Sequence, residues 1–155
     1  MATTVCYDIY GNAVPVASET ITFRPAVYGI FIENSQILLQ KQSQTGLWYP
    51  PGKILAANDT PTQVVRHYFR QLTGLTPIIG SLLYVEDQFF IDEERRAWKL
   101  SALYYGLERP LTAATALTES EETTQTEWVT LTNLQHEQFQ FGYEAVQAGK
   151  LQQKL

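Results

Sequence analysis

The sequence has little of what several large classes of protein require. It contains one cysteine, Cys6, which cannot form a disulfide within the chain and is interpreted as a small residue near a strand. Its apolar runs are far shorter than the ~20 residues that cross a bilayer. The N-terminal residues also lack the basic and apolar regions of a secretory signal. We therefore expect a cytoplasmic protein in a reducing environment, with no membrane partner.

Charged residues are also scarce, at 17% of the 155 residues, and the formal net charge is −5. Binding to nucleic-acid phosphates requires clustered lysine and arginine, so we do not expect nucleic acid as a partner. Hydrophobic residues make up 45% of the chain, which is enough for a packed core. The length fits one domain over residues 1–155.

The order of predicted elements indicates a mixed α/β protein. An apolar run with turn residues at 33–36 predicts a β-hairpin over residues 26–41, and its first strand is expected to be buried on both faces because residues 27–32 are all apolar or small. Further strands are predicted at 78–85, 97–106 and 127–131. Thr60 and Gln63 form a capping box before a helix that ends at Gly74, and a second helix is predicted over 143–151. Loops are predicted for the polar residues 118–126 and for a mixed-charge region that comprises Glu86, Asp87 and residues 92–96.

Residues 48–75 resemble the motif of the Nudix family. Trp48, Pro51 and Gly52 match the beginning of that motif and residues 73–75 match its end, with no gap between them. The segments 24–29 and 127–134 are similar to the first long strand and a late strand of the family, so the resemblance covers roughly residues 20–148. It implies an α/β/α sandwich around a mixed β-sheet, with residues 1–19 as an N-terminal extension.

The interior of the motif differs from the family pattern where family members bind divalent ions through glutamates. Tyr68, Gln71 and Leu72 stand at glutamate positions, and their spacing places them on one helix face. Mg²⁺ prefers oxygen ligands such as carboxylates, whereas a phenol, an amide and an alkyl group supply no negative oxygen. We therefore predict that metal-dependent hydrolysis is absent and that no Mg²⁺ or Mn²⁺ is bound. Asp59, one methylene shorter than the first motif glutamate, is the alternative metal ligand.

The leading hypothesis is a Nudix-fold protein that binds a nucleotide or nucleotide-sugar, or acts as a regulatory or interaction protein, without hydrolysis. Its predicted ligand-binding residues are Arg24, Tyr28, Trp48, Tyr49, Lys53, Tyr68, Gln71, Leu72 and Glu86. The alternative is an active diphosphohydrolase that uses Mg²⁺ or Mn²⁺, with carboxylates from Asp59, Glu86, Asp87, Glu119 and Glu122. A third hypothesis is an interaction module whose partner is another protein; a homodimer also stays open.

Several of these residues have a second interpretation. Tyr68 and Leu72 form the apolar wall of a cleft, or they close it and join the core. Lys53 contacts a phosphate or is a solvated lysine, and Asp59 binds an ion or Lys53, or belongs to the turn before the helix. Arg24 contacts a phosphate or pairs with a carboxylate on a neighbouring strand.

Overall fold

The computed structural model describes residues 2–111 and 125–153. Its elements are β1 (Thr3–Tyr7), β2 (Ala13–Ala17), β3 (Thr22–Glu33), β4 (Gln36–Lys41), β5 (Trp48–Tyr49), β6 (Gly52–Ile54), α1 (Pro61–Thr73), β7 (Ile78–Ile91), β8 (Ala97–Glu108), β9 (Gln125–Thr130) and α2 (Tyr143–Gln153), with one-turn helices at Ser18–Thr20 and His136–Gln138. The β-sheet has the strand order β2-β1-β7-β8-β3-β4-β5, with β6 paired to β3 and β9 paired to β4. Strands β3 and β8 run parallel while β7 and β8 run antiparallel, so the sheet is mixed, as predicted.

Strand β3 lies inside the sheet between β8 and β4, and separates two hydrophobic clusters. Tyr28 and Ile30 pack in the cluster that contains Val146 of α2. Val27 packs in the opposite cluster, which contains Phe69 of α1. Successive strand residues point to opposite faces, so the two helices cover the two faces of β3. The predicted α/β/α sandwich is therefore confirmed, as is the prediction that this strand is buried on both faces.

Helix α1 begins at Pro61 and follows the predicted bounds. Gly74 ends it with a left-handed φ of 78°, which favours glycine, and its N–H donates to the Arg70 carbonyl. The predicted capping box is wrong, because the Thr60 side chain makes no capping hydrogen bond. Asp59 instead accepts a hydrogen bond at 2.7 Å from the Ala56 N–H, and thereby closes the turn before the helix.

Strand β7 is longer than predicted and contains two residues that were assigned to a loop. Glu86 and Asp87 lie inside the strand, so the predicted loop is wrong there and is confined to the turn at 92–96. Both carboxylates accept hydrogen bonds from hydroxyl groups on the neighbouring strand β8: Tyr104 donates to Glu86, and Ser101 donates to Asp87. These cross-strand hydrogen bonds allow two acidic residues to continue the sheet.

The N-terminal residues add a β-hairpin to the sheet. Strand β1 pairs with β2 and meets β7 where Tyr7 lies beside Phe90, and Cys6 is buried against this edge. At the other end of the chain, residues 118–124 of the predicted polar loop lie outside the described residues, and Thr126 belongs to β9. None of the described helices is long and apolar enough to cross a membrane.

Candidate functional site

Two cavities lie near the predicted site residues, and they share no lining residue. The first, here the α1 cleft, has a volume of about 290 Å³ and lies between β6 and α1. The second, here the hairpin cleft, has a volume of about 550 Å³ and lies between the β1–β2 turn, the C-terminal part of β7 and residues 139–144. The α1 cleft is lined by Lys53, Asn58, Asp59, Thr60, Gln63, Val64, His67, Tyr68 and Gln71.

The position of Lys53 at the α1 cleft depends on the glycine before it. Gly52 pairs with Tyr28 of β3, and a Cβ at Gly52 would overlap the Val27 carbonyl oxygen. Glycine therefore allows β6 to lie directly against β3, which fixes the backbone at Lys53. The Lys53 side chain is exposed at the cleft.

The face of α1 that borders the cleft is polar. Gln63, His67 and Gln71 are exposed and spaced four residues apart, so they form one row along the helix. Tyr68 lines the cleft and is half-buried. Leu72, in contrast, is 5% exposed and packs in the core cluster of α1. The two residues therefore differ: Leu72 belongs to the core, whereas Tyr68 forms part of the cleft wall.

The Tyr68 hydroxyl is held by a glutamine that the sequence did not single out. Gln40 of β4 is 1% exposed, and its Nε2 and Oε1 lie 3.0 and 3.1 Å from the Tyr68 hydroxyl oxygen. A buried amide without partners would cost about 1–3 kcal/mol, so this contact stabilises the deep end of the cleft. The signal in the sequence was a polar residue directly after the apolar run Ile37–Leu39.

The donor groups of the α1 cleft do not fit a Mg²⁺ or Mn²⁺ ion. Asp59 is the carboxylate that lines it, and this group is already hydrogen-bonded to the backbone of Ala56. Within residues 2–111 and 125–153, no group of three His, Cys, Asp or Glu side chains could hold a metal ion. The alternative carboxylates Glu119 and Glu122 lie outside the described residues.

Tyr28 lies close to residues of both clefts. Burial is the main cause that raises its pKa, and Glu86, Tyr49 and Tyr68 raise the pKa further. Its ring stacks on Tyr104, with ring centroids 5.3 Å apart. Three other predicted ligand-binding side chains, Glu86, Tyr49 and Tyr68, are thus near enough to this buried phenol to affect its pKa, although Tyr28 itself lines neither cleft.

Glu86 lines the hairpin cleft and is anchored from the sheet behind it. The Tyr104 hydroxyl donates to Glu86 Oε1 at 2.6 Å, and Gln88 Nε2 donates to the same oxygen at 3.0 Å. Burial raises the pKa of Tyr104, and the negative Glu86 raises it further. Tyr104 and Gln88 were not among the site residues predicted from the sequence. The alternation of residues in this strand predicts that Tyr104 is buried. A buried tyrosine hydroxyl usually needs a hydrogen-bond partner, and this requirement was the signal in the sequence.

Arg24 is occupied within the fold. Its Nε and Nη2 donate to the Leu55 carbonyl at 3.1 and 2.8 Å, and its guanidinium lies over the Trp98 ring at 5.9 Å. The alternative of a carboxylate partner is therefore wrong, because the partner is a backbone carbonyl. Arg24 fixes the chain between β6 and α1, and it lines neither cleft.

Trp48 and Tyr49 form the short strand β5 beside β4. Lys41 Nζ lies over the Trp48 ring, 5.0 Å from its centroid, and Trp48 forms a backbone bridge to Phe139. The Tyr49 ring lies 5.3 Å from Phe141, and burial raises the pKa of Tyr49. Both side chains are half-buried and lie outside the lining of the two clefts.

The chain forms a mixed sheet between two helices, with a Trp-Tyr-Pro-Pro-Gly segment before α1 and a Thr-Gly-Leu segment at its end. This architecture is the Nudix class of fold. Residues 22–148 match the family model described as NUDIX domain. This match covers most of the chain, and the protein therefore belongs to the Nudix family. No curated protein matches the chain.

Solved structures of Nudix proteins share this fold. The MutT protein from Methanosarcina mazei Go1 is 16% identical, has a TM-score of 0.62, and the match covers 86% of this chain and 96% of that one. The MutT NUDIX hydrolase from Burkholderia pseudomallei is 17% identical, with a TM-score of 0.56 and coverage of 76% and 93%. An ADP-ribose pyrophosphatase from Streptococcus suis 89-1591 is 14% identical, with a TM-score of 0.53 and coverage of 83% and 87%. Likeness at these identities shows the fold.

Proposed function

We propose that this Nudix-fold protein binds a nucleotide-type ligand at the α1 cleft and does not carry out metal-dependent hydrolysis of it. One observation carries the proposal: the α1 residues that border the cleft are Gln63, His67, Tyr68 and Gln71, together with the apolar Val64. A divalent ion that activates water and neutralises a diphosphate needs several oxygen ligands, usually carboxylates. Amide and phenol groups bind a ligand through hydrogen bonds without that chemistry.

The polar groups of the cleft suit an anionic ligand. Lys53 supplies a positive charge, and the amides of Asn58, Gln63 and Gln71 supply N–H donors around it. A lysine and side-chain amides are groups that hydrogen-bond phosphate oxygens. One structural neighbour is named as an ADP-ribose pyrophosphatase. ADP-ribose is therefore a reasonable first probe, beside NAD and nucleoside triphosphates.

Isothermal titration calorimetry with these three probes, each with and without Mg²⁺, tests the proposal. We expect binding of at least one probe, an affinity independent of Mg²⁺, and no product after incubation. Lys53→Gln is expected to weaken binding about tenfold, because it removes one charge-assisted contact. Lys150→Gln is the matched control, since Lys150 lies on α2 away from the α1 cleft.

Two other results would support the alternative functions. Metal-dependent turnover at about 1 s⁻¹, an ordinary enzyme rate, would favour an active diphosphohydrolase. In that case Asp59→Asn and Glu122→Gln should each abolish it. No response to any nucleotide, combined with a stable protein partner or a dimer in solution, would favour an interaction module.

A further inference from the structure

The hairpin cleft is the larger of the two cavities, and aromatic side chains form much of its wall. Tyr7 and Tyr10 line it from the N-terminal hairpin, Phe90 lines it from β7, and Phe139 and Phe141 line it from the segment before α2. Its volume of about 550 Å³ lies within the range of small-molecule sites. Such a wall favours a flat ring as the ligand.

The turn that carries Tyr10 is held by its own hydrogen bonds. Asp8 Oδ1 accepts the backbone N–H groups of Tyr10 and Asn12, both at 2.9 Å, and Oδ2 accepts the Asn12 side-chain amide at 3.2 Å. Asp8 is therefore occupied in shaping this side of the cleft. A pre-formed wall lowers the ordering cost that a ligand must overcome on binding.

The charged side chains of the cleft are acidic, apart from the imidazole of His136. No lysine or arginine of residues 2–111 and 125–153 lines it. Glu144 Oε1 lies 3.4 Å from His136 Nε2, so the carboxylate and the imidazole face each other. A phosphate placed in this cleft would meet carboxylates without a cationic side chain to offset them. The electrostatics therefore favour a neutral or positively charged ligand.

Glu86 keeps one carboxylate oxygen for a ligand. Both of its hydrogen bonds, from Tyr104 and Gln88, go to Oε1. Oε2 has no hydrogen-bond partner within the described part of the chain. Two fixed donors thus hold the carboxylate in one orientation, as a binding site requires of its polar groups. The remaining oxygen can accept an N–H group.

We propose that the hairpin cleft binds an aromatic or heteroaromatic ring that carries an amino or ammonium group. The N–H donates to Glu86 Oε2, and the ring packs against the aromatic walls, which also attract a positive charge through their faces. The ligand is a free aromatic amine, because the acidic lining, without lysine or arginine among the described residues, disfavours a phosphate on the same molecule. The proposal does not rest on the α1 cleft, because the two cavities share no lining residue.

Two sets of probes separate a free aromatic amine from the base of a nucleotide. Tryptamine, indole-3-acetamide and indole-3-acetate share one ring system and carry a positive, a neutral and a negative group. Guanosine and inosine represent the base of a nucleotide and differ by one exocyclic amino group. Ligand-observed NMR titration of the full chain is expected to show binding of tryptamine before the acetamide, none of the acetate, and weaker binding of both nucleosides than of tryptamine. No binding of tryptamine up to about 10 mM, equal binding of the three indole compounds, or tighter binding of guanosine than of tryptamine overturns the proposal.

Variants assign the effect to Glu86. Glu86→Gln is expected to weaken binding of the amine at least tenfold, because it removes a charge-assisted hydrogen bond. Glu93→Gln is the control: it removes the same charge by the same substitution at an exposed position of the turn 92–96 that does not line the cleft. An equal loss in both variants would reduce the effect to net charge and contradict the proposal. Tyr10→Ser, at a 63% exposed position, should weaken the binding of whichever ring is bound and leave thermal stability unchanged.

Discussion

The Tyr68 hydroxyl and the buried side-chain amide of Gln40 are hydrogen-bonded to each other, with the hydroxyl oxygen 3.0 Å from Nε2 and 3.1 Å from Oε1. This contact joins the cleft face of α1 to strand β4 beneath it. Tyr68 therefore has a structural task in addition to lining the α1 cleft. The two tasks can be separated, because they depend on different atoms of the same side chain.

Tyr68→Phe should lower the free energy of unfolding by about 1–3 kcal/mol, since the Gln40 amide loses its phenol partner while it stays buried. Urea denaturation followed by tryptophan fluorescence measures this loss. The control is the double variant Gln40→Leu and Tyr68→Phe, in which no buried amide is left behind. If the single variant were as stable as the wild-type protein, the contact would contribute nothing.

The same substitution should have very different effects on stability at two neighbouring positions of α1. Gln71→Glu places a carboxylate on the exposed row that borders the cleft, and should change the free energy of unfolding by less than about 0.5 kcal/mol. Leu72→Glu buries a carboxylate in the core at a 5% exposed position, and should cost about 3 kcal/mol or more. Thermal denaturation of the matched pair checks this.

The effects of Gln71→Glu and Leu72→Glu also determine whether metal ligands can be introduced on α1. The triple change Tyr68→Glu, Gln71→Glu and Leu72→Glu supplies three carboxylates on one helix face. Because Leu72 belongs to the core, we expect the triple variant to lose stability before it gains a metal site. A stable triple variant that binds Mn²⁺ would contradict this expectation, and would show that carboxylates at these three positions are enough to create a metal site in the α1 cleft.

The sequence predicted what depends on local periodicity and turn residues. The bounds of α1 follow from Pro61 and Gly74, and the two-sided burial of β3 follows from its continuous apolar run. Partners that come from distant segments were not predictable. Arg24 binds a carbonyl 31 residues away, and Tyr68 binds Gln40 across 28 residues. Neither spacing leaves a local pattern in the sequence.

The candidate site was predicted in part for the same reason. Lys53, Asp59, Tyr68 and Gln71 belong to one continuous motif, and the structure brings them together in the α1 cleft. The hairpin cleft combines β1, β7 and the segment before α2, which are far apart in the chain. Among the predicted ligand-binding residues, Glu86 lines this cleft. A single sequence without a structure does not reveal such a combination.

Arg24 offers a test between the sequence hypothesis of phosphate contact and the bracing role. Arg24→Lys keeps the positive charge but replaces two donors on the Leu55 carbonyl with a flexible ammonium group. We expect a loss of about 1–2 kcal/mol in the free energy of unfolding and less than a twofold change in nucleotide affinity. A large loss of affinity at unchanged stability would restore the phosphate role. Calorimetry and urea denaturation of the same preparation give both numbers.

The buried tyrosines predict a specific dependence of stability on pH. Burial raises the pKa of Tyr104 and Tyr28 above the ordinary tyrosine value of about 10, so the folded protein keeps protons that the unfolded chain loses. Their contribution is complete below about pH 10 and is lost as the pH rises above it. Urea denaturation between pH 8 and pH 11 should therefore show a falling free energy of unfolding at the alkaline end.

Tyr104→Phe separates this effect from general alkaline denaturation. At neutral pH the variant should lose about 1–2 kcal/mol, because Glu86 and Gln88 lose a hydrogen-bond partner. Above pH 10 its stability should fall less steeply than that of the wild-type protein, since the unfolded chain has one fewer phenol to ionise. Tyr10→Phe, at a 63% exposed position, is the control and should follow the wild-type curve. If the free energy of unfolding fell equally steeply with pH in the wild-type protein and in Tyr104→Phe, the Tyr104 hydroxyl would have the same pKa in the folded and the unfolded chain. That result would contradict the prediction.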